Sequence, residues 1–186
     1  MINTPDAIYL PQFYSDEQSR RLLNELKNTI DWRQEKIKMF GKEILEPRLV
    51  AWYGDKTYKY SGKLMQPLPW TPLLLQIKNE VEKHTLCQFN AVLLNYYRNG
   101  KDSMGWHSDD EPTLGQNPNI ASINFGQTRK FQFRLREKIG IKKDYLLENG
   151  SLLLMQGDTQ HRWQHQLPKS TKMNGERINL TFRFII

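Results

Sequence analysis

The sequence predicts an α+β fold in which two helices come first and an antiparallel β core follows. Apolar residues recur at helical spacing in two early segments, and from Phe89 onward they alternate with polar residues in several short segments. Such period-2 segments without intervening helices are typical of an antiparallel sandwich or barrel. At 186 residues the chain is long enough for one domain with a full core and too short for two ordinary ones.

The two helices are predicted from their first turns and their apolar faces. Ser15 should begin the first helix, because it forms an S-x-x-Q capping box with Gln18. The second should begin at Thr71 with Pro72 in its first turn, where a missing N–H costs nothing. The apolar stripes are Leu22, Leu23, Leu26 and Ile30 in the first helix and Leu74, Ile77 and Val81 in the second. Residues 38–62, rich in aromatic and basic residues, are predicted to form short strands and loops.

The strand pattern is clearest at residues 91–98, 129–136 and 177–184. In the second of these segments, the side chains that share one face are Phe131, Phe133 and Leu135. Residues 151–156, SLLLMQ, are continuously apolar and follow the turn signal Asn149-Gly150, which predicts a strand buried on both faces.

The composition is compatible with a polyanionic partner and with a reducing compartment. The 27 Lys and Arg against 20 Asp and Glu give a net charge of +7, although many proteins carry such a balance for solubility alone. No apolar run approaches the roughly 20 residues that cross a bilayer, and the N-terminus lacks the features of a signal peptide. The single cysteine, Cys87, excludes an internal disulfide and is compatible with a reducing compartment.

A candidate metal site is found among the four histidines, His84, His107, His161 and His165. His107 and Asp109 are two positions apart, so an extended backbone places both side chains on one side. Two histidines and one carboxylate, with open positions opposite, suit non-haem iron that activates oxygen. The H-x-D spacing alone is weak, because it is often a surface turn. The third ligand must come from elsewhere, and both His161 and His165 are candidates.

The last predicted strand adds a second candidate site. Its alternation places Arg177, Asn179, Thr181 and Arg183 on one face and Ile178, Leu180, Phe182 and Phe184 on the other. An arginine guanidinium can pair bidentately with a carboxylate. We therefore predict that a small dicarboxylate binds beside the metal. The alternative is a strand with one solvated face that carries its arginines by chance.

These segments resemble the AlkB family of iron(II)- and 2-oxoglutarate-dependent dealkylating dioxygenases. The matching stretches are NYYRNGKDSMGWHSDDE (95–111), IASINFGQTRKFQFR (120–134), GSLLLMQGDTQHRWQHQLPK (150–169) and ERINLTFRF (176–184). MFGKEILEPR (39–48), YGD (53–55) and TYKYSG (57–62) resemble the base-recognition region of members that repair duplex DNA. The resemblance implies one dioxygenase domain over residues 1–186. Its double-stranded β-helix (jelly-roll) core would span about 89–186, under a nucleotide-recognition lid at about 38–62.

The resemblance also implies a cofactor set and its ligands. Iron(II) would be held by His107, Asp109 and His165, and 2-oxoglutarate and O2 would be cosubstrates. His165 is favoured over His161 because the family's distal histidine is closely followed by a turn such as the L-P of HQLP at 165–168. The implied 2-oxoglutarate contacts are Asn95, Tyr97, Arg177, Thr181 and Arg183. One arginine should pair with the distal carboxylate and the other lie nearer the metal, and the sequence does not decide which.

The family chemistry implies oxidative dealkylation of bases such as 1-methyladenine and 3-methylcytosine in DNA, which is direct repair that releases an aldehyde, succinate and CO2. The methylated nitrogen is unreachable inside a stacked duplex, so the base must be flipped out. An apolar wedge can then fill the vacated space. The residues expected to contact DNA are Phe40 as wedge with Gly41 beside it, Tyr58, Tyr60, Asp110 and Glu111 at the base, and Lys42, Lys169 and Lys172 on the phosphate backbone.

Each DNA contact also has a plainer interpretation, as a core aromatic, a solvated loop acid or a charged surface loop. The main alternative function is the same chemistry on RNA, a protein or a small molecule. A zinc hydrolase or a non-catalytic binder leaves Arg177 and Arg183 on one strand face unexplained. We expect a monomer that acts on alkylated nucleic acid, with duplex DNA as the first candidate and RNA as the second. It would lie in the cytoplasm of a bacterium or the nucleus of a eukaryote.

Overall fold

The computed structural model describes residues 4–39, 42–60 and 63–186. Two long helices, α1 (Asp16–Thr29) and α2 (Pro72–Thr85), have the predicted starts. Ser15 and Gln18 form the predicted capping box, and the Thr71 side chain accepts a hydrogen bond from the Leu74 N–H. A one-turn helix, α3, spans Thr159–Arg162, and a 3₁₀ turn spans Pro112–Leu114.

The strands of the described residues account for most of the rest of the fold. They are β1 (Ala7–Leu10), β2 (Lys36–Met39), β3 (Lys42–Leu45), β4 (Leu49–Gly54), β5 (Tyr58–Tyr60), β6 (Lys63–Met65), β7 (Ala91–Tyr97), β8 (Met104–His107), β9 (Ile120–Gly126), β10 (Arg129–Leu135), β11 (Lys142–Leu147), β12 (Ser151–Met155), β13 (Trp163–Leu167) and β14 (Arg177–Arg183).

Two antiparallel sheets form the core. The major sheet has the order β1-β12-β9-β14-β7-β4, and the minor sheet has the order β11-β10-β13-β8. This is the predicted α+β jelly-roll. Two hairpins, β2–β3 and β5–β6, overlap the stretch predicted as a lid at about 38–62, and that role stays a prediction.

The two helices cover the outer face of the major sheet, which leaves its inner face for a site. One core cluster joins Leu22 and Leu26 of α1 and Leu74 and Ile77 of α2 to Ile178, Leu180 and Phe182 of β14. Because side chains alternate along a strand, the polar residues of β14 point away from this cluster and into the space between the sheets. A second cluster, around Phe133, Leu153 and Trp163, fills part of that space.

Three local features differ from the sequence prediction. Strand β1 was not predicted, because a four-residue segment between Pro5 and Pro11 is too short for alternation to be recognised. α3 interrupts the β region, and its single turn is too short to show a helical period. Phe184 follows the end of β14 and is 45% exposed, so it does not belong to the apolar face as expected. In the described part of the chain, no helix combines the length and apolar character that a bilayer span requires.

Candidate metal and cosubstrate site

Three potential metal ligands meet at the edge of the minor sheet. His107 on β8 is the direct cross-strand partner of His165 on β13, and Asp109 follows β8 by two residues. One ligand atom from each of these residues lies within 4.8 Å of the other two. The Nε2 atoms of the two histidines are 3.1 Å apart. The structure thus brings together the three predicted ligands.

Both imidazoles are neutral at physiological pH, as metal binding requires. Burial lowers the pKa of His107, and the Asp109 carboxylate only partly opposes this. Burial also lowers the pKa of His165 to about 3, with a further decrease from the neighbouring His107. The Gly105 carbonyl lies 2.8 Å from His107 Nδ1, so this nitrogen carries the proton and Nε2 keeps its lone pair.

The Asp109 carboxylate is buried, and a charged partner keeps it ionised. Its Oδ2 accepts a hydrogen bond from Arg183 Nη2 at 2.9 Å, and its backbone N–H donates to Gln160 Oε1 at 3.0 Å. Burial raises the pKa of Asp109, but Arg183, His165 and His107 outweigh this effect and lower it to about 2. Its Oδ1 is buried with no hydrogen-bond partner among the described residues, which leaves this oxygen for a cation.

The opposite wall of the same cavity comes from the major sheet. Asn95 and Tyr97 of β7 and Arg177, Thr181 and Arg183 of β14 all line it, so the structure brings together the five residues whose contact with 2-oxoglutarate is a prediction. Asn179 Nδ2 donates to Ser122 Oγ at 2.8 Å, and the Thr181 hydroxyl donates to Asn179 Oδ1 at 2.9 Å. This hydrogen-bonded layer fixes the rotamers of the wall.

Arg177 is a buried cation in this wall. It is 2% exposed, its guanidinium carbon lies 5.2 Å from the centre of the Tyr97 ring, and its Nη2 donates to the Asn124 side chain. No carboxylate among the described residues pairs with it, and its buried Nε has no partner there. Burial lowers the pKa of Arg177 to about 10, so it is still a cation at pH 7. A buried cation without a counter-charge fits an anionic ligand.

The rest of the cavity is apolar. The Phe131 ring lies 5.2 Å from the His165 ring at an interplanar angle of 32°. Leu93, Met104, Met155 and Leu167 complete the lining. These side chains shield the polar groups from water and strengthen their electrostatic interactions.

The donor set fits iron(II) and 2-oxoglutarate. Two neutral imidazoles and one carboxylate with a free, buried oxygen match the ligand types of non-haem iron oxygenases. A dicarboxylate matches the separate cation at Arg177. Arg183 already pairs with Asp109, so the two arginines have different environments within one cavity.

The remaining predicted residues lie on several different loops and strands or outside the described part of the chain. Asp110 is exposed and forms an ion pair with Arg136 at 2.9 Å. Glu111 is half-buried, and Lys169 and Lys172 are exposed in the loop after β13. Lys42 lies on β3 and Tyr58 and Tyr60 lie on β5, while Phe40 and Gly41 fall outside the described residues.

His161 lies on α3, where its Nε2 accepts a hydrogen bond from the Asn117 N–H, and it is absent from the ligand cluster.

Sequence reasoning missed several residues that support the site. Gln160 and Asn124 are buried partners of Asp109 and Arg177, respectively. The signal for Asn124 was present, because Ser122 and Asn124 alternate with apolar residues along β9 as the polar residues of β14 do. Arg48 is buried with Glu46 at 3.1 Å and donates to Asn95 Oδ1 at 2.8 Å, a link that no local pattern predicts.

Comparison with known proteins agrees with this geometry. Residues 6–183 match the family model described as the 2OG-Fe(II) oxygenase superfamily. The chain is 42% identical over 184 residues to alpha-ketoglutarate-dependent dioxygenase alkB homolog 3 of Bos taurus, which covers 94% of this chain and 64% of that protein. It is 36% identical over 185 residues to DNA oxidative demethylase ALKBH2 of Homo sapiens, which covers 93% of this chain and 71% of that protein.

A solved structure supports the fold. The structure of OsALKBH1 superposes with a TM-score of 0.66 and 17% sequence identity, over 97% of each chain. The chain spans 64% of the length of the Bos taurus relative, so it corresponds to part of that protein. The family model and the human relative each match nearly the whole chain. This chain therefore belongs to the 2OG-Fe(II) oxygenase superfamily and, within it, to the AlkB family.

Proposed function

We propose that this protein is an iron(II)- and 2-oxoglutarate-dependent dioxygenase that removes alkyl groups from the bases of nucleic acids. The observation that carries the proposal is the cavity between the two sheets. A His-Asp-His cluster on one side of it faces a buried Arg177 on the other, and Arg177 has no carboxylate partner among the described residues. The name of the human relative, DNA oxidative demethylase, supports alkylated DNA as the substrate. The resulting function is direct repair of bases such as 1-methyladenine and 3-methylcytosine.

The protein's part in the reaction is to hold and orient its reactants. His107, Asp109 and His165 would bind iron(II) through Nε2, Oδ1 and Nε2. The Gly105 carbonyl engages Nδ1 of His107, Oδ1 of Asp109 has no hydrogen-bond partner among the described residues, and the two Nε2 atoms lie 3.1 Å apart. Iron(II) with 2-oxoglutarate and dioxygen supplies the oxidant that hydroxylates the N-alkyl carbon, with succinate and CO2 as co-products. The hydroxylated group then leaves as an aldehyde and the unmodified base remains.

The two arginines would have separate roles. Arg183 holds the Asp109 carboxylate in place and keeps it ionised, so it acts on the metal side. Arg177 would bind the distal carboxylate of 2-oxoglutarate, because it is the buried cation of the wall that has no described carboxylate partner. Asn95, Tyr97 and Thr181 line the same cavity and would contact the cosubstrate between these ends.

Turnover with a panel of oligonucleotides tests the activity. Single-stranded and duplex DNA and single-stranded RNA, each with one 1-methyladenine or 3-methylcytosine, should be compared with unmodified strands. We expect lesion-dependent release of succinate and formaldehyde in equal amounts, with DNA as the best substrate. Faster turnover of methylated RNA would favour the alternative substrate class. Succinate release that no methylated strand stimulates would contradict the proposal.

We propose duplex DNA as the preferred form, on the basis of the MFGK stretch at residues 39–42. If Phe40 fills the gap that a flipped base leaves, Phe40→Ala should reduce repair of a duplex far more than repair of a single strand. Only the duplex has a stack to hold open and a partner base to keep apart. Equal losses on both substrates would refute the wedge role. The candidate site is built from one chain, so a monomer by light scattering is expected.

A further inference from the structure

Two loops outside the catalytic cavity are joined at one end of the minor sheet. Loop A, residues 98–103, leads into β8, and loop B, residues 168–173, follows β13. The cross-strand pair Met104–Leu167 places both loops at the same end of these strands. The Ser170 N–H donates to the Gly100 carbonyl at 2.8 Å. The two loops therefore contact each other directly through their backbones.

Gly100 is required at this contact. A Cβ atom added to it would lie 2.1 Å from the carbonyl oxygens of both Ser170 and Met173. Both obstacles are backbone atoms, so a larger residue would force the loops apart. The spacing between loop A and loop B thus depends on a residue without a side chain.

Arg129, the first residue of β10, forms hydrogen bonds with both loops. It is 2% exposed, and its guanidinium donates to the carbonyls of Asn99 at 3.3 Å and Asp102 at 3.1 Å in loop A. It also donates to the carbonyl of Pro168 in loop B at 2.6 Å. Among the described residues, this buried cation thus donates hydrogen bonds only to main-chain carbonyls of the two loops. A planar fork with several fixed donors suits this bridging role.

The joined loops present positive charge to solvent. Lys101 of loop A and Lys169 and Lys172 of loop B are exposed, and within the described residues none of the three has an ion pair. We name Lys101, Lys169 and Lys172 the basic ridge. The positive charge of the basic ridge complements a phosphate backbone. Because the loops that carry the ridge are hydrogen-bonded to each other and to Arg129, less conformational entropy is lost when a ligand binds.

The ridge lies within reach of a substrate whose base occupies the cavity. Lys169 follows His165 by four residues, which span at most about 13 Å in an extended strand. Phosphates of one strand in a duplex are spaced at about 3.4 Å along the axis. The backbone of Lys169 therefore lies within about four nucleotide steps, measured along a duplex axis, of the metal ligand His165.

We propose that loops A and B form a single backbone-binding platform in which Lys101 joins Lys169 and Lys172 on the phosphates of a nucleic acid strand, and Arg129 is the residue that positions both loops. This proposal rests on the proposed function and specifies how the strand that carries or opposes the target base is held. Lys101 and Arg129 are the new members, and they are connected to the site through β8 and β10.

The test is the salt dependence of binding to a fluorescent, methylated 12-mer, measured by anisotropy with Mn(II) in place of iron and without oxygen. One phosphate contact contributes a slope of about 0.7 to 0.9 in log K against log salt. Lys101→Ala should therefore reduce the affinity loss between 50 and 200 mM salt by about threefold. Lys83→Ala, an exposed lysine on α2, is the matched control and should leave the slope unchanged.

The bridging role needs its own variants. Arg129→Met and Gly100→Ala should each lower the slope by more than Lys101→Ala, because they disturb both loops. Thermal melting identifies a variant that fails to fold, and Gly100→Ala keeps the test valid if Arg129→Met is unstable. A wild-type slope in Lys101→Ala overturns the ridge, and folded Arg129→Met and Gly100→Ala proteins with wild-type slopes overturn the bridging role. Loss of the proposed function is distinguishable, because it would appear as absent lesion-dependent succinate release by the wild-type protein.

Discussion

Replacing Arg177 with methionine tests the assignment of the two arginines most directly. Arg177 is buried beside Tyr97 and Asn124, and among the described residues it has no carboxylate partner. If it binds the distal carboxylate of 2-oxoglutarate, its loss leaves that carboxylate buried and unpaired, at a cost of about 3–5 kcal/mol. The dissociation constant should then rise between about 10²-fold and about 10⁴-fold.

The measurement is 2-oxoglutarate binding to the Mn(II) protein by anaerobic calorimetry, with 2-oxopentanoate as a second ligand. In 2-oxopentanoate a methyl group replaces the distal carboxylate. Wild-type protein should strongly prefer 2-oxoglutarate, and Arg177→Met should lose most of this preference. Arg183→Met is the matched control, which should keep the preference and weaken metal binding, because Arg183 pairs with Asp109.

Stability of the metal-free protein gives an independent readout. Arg183→Met leaves the buried Asp109 carboxylate without its partner and should destabilise the fold by about 3–5 kcal/mol. Arg177→Met removes a buried cation that has no counter-charge among the described residues, so it should cost much less. A preference for 2-oxoglutarate that survives in Arg177→Met and disappears in Arg183→Met would show that the two roles are reversed.

Two further predictions concern the metal. His165→Ala should abolish Mn(II) binding and turnover. His161→Ala should leave both near wild type, because His161 lies outside the ligand cluster. The reverse result would make His161 the ligand. Gln160→Leu removes the acceptor of the Asp109 N–H and should weaken Mn(II) binding about 10-fold to about 100-fold, as outer-shell changes do. Gln160→Glu retains an acceptor oxygen and should weaken it less, and equal effects of the two would point to a packing role.

The sequence predicted the parts of the site that lie on regular strands. The alternation in β14 correctly grouped Arg177, Thr181 and Arg183, because polar residues within a buried strand must share the face away from the core. The H-x-D spacing correctly placed His107 beside Asp109. The choice between His161 and His165 came from the family resemblance, since no local pattern distinguishes them. The structure agrees with that choice by placing His165 on β13 and His161 on α3.

The missed residues act over long sequence separations from irregular or unexpected positions. Gln160 is 51 positions from Asp109 and lies in a single helical turn, which carries no detectable period. Arg129 begins a strand that was predicted correctly, yet its function depends on carbonyls in loops that come together only in the folded chain. Local periodicity predicts on which face of a strand or helix a side chain lies. It does not predict which distant residues that side chain contacts in the folded chain.

The two sheets supply different groups to the cavity, which explains why one cavity can hold both a metal ion and an anionic cosubstrate. The minor sheet supplies His107 and His165, while the major sheet supplies Arg177 and Arg183 from one face of β14. The Asp109–Arg183 pair connects the two sheets across the cavity at 2.9 Å, within hydrogen-bond distance and away from solvent. This pair therefore couples the metal side to the cosubstrate wall. A double-mutant cycle between Asp109→Asn and Arg177→Met, whose side chains share no hydrogen bond, should show a much smaller coupling in stability than the cycle between Asp109→Asn and Arg183→Met.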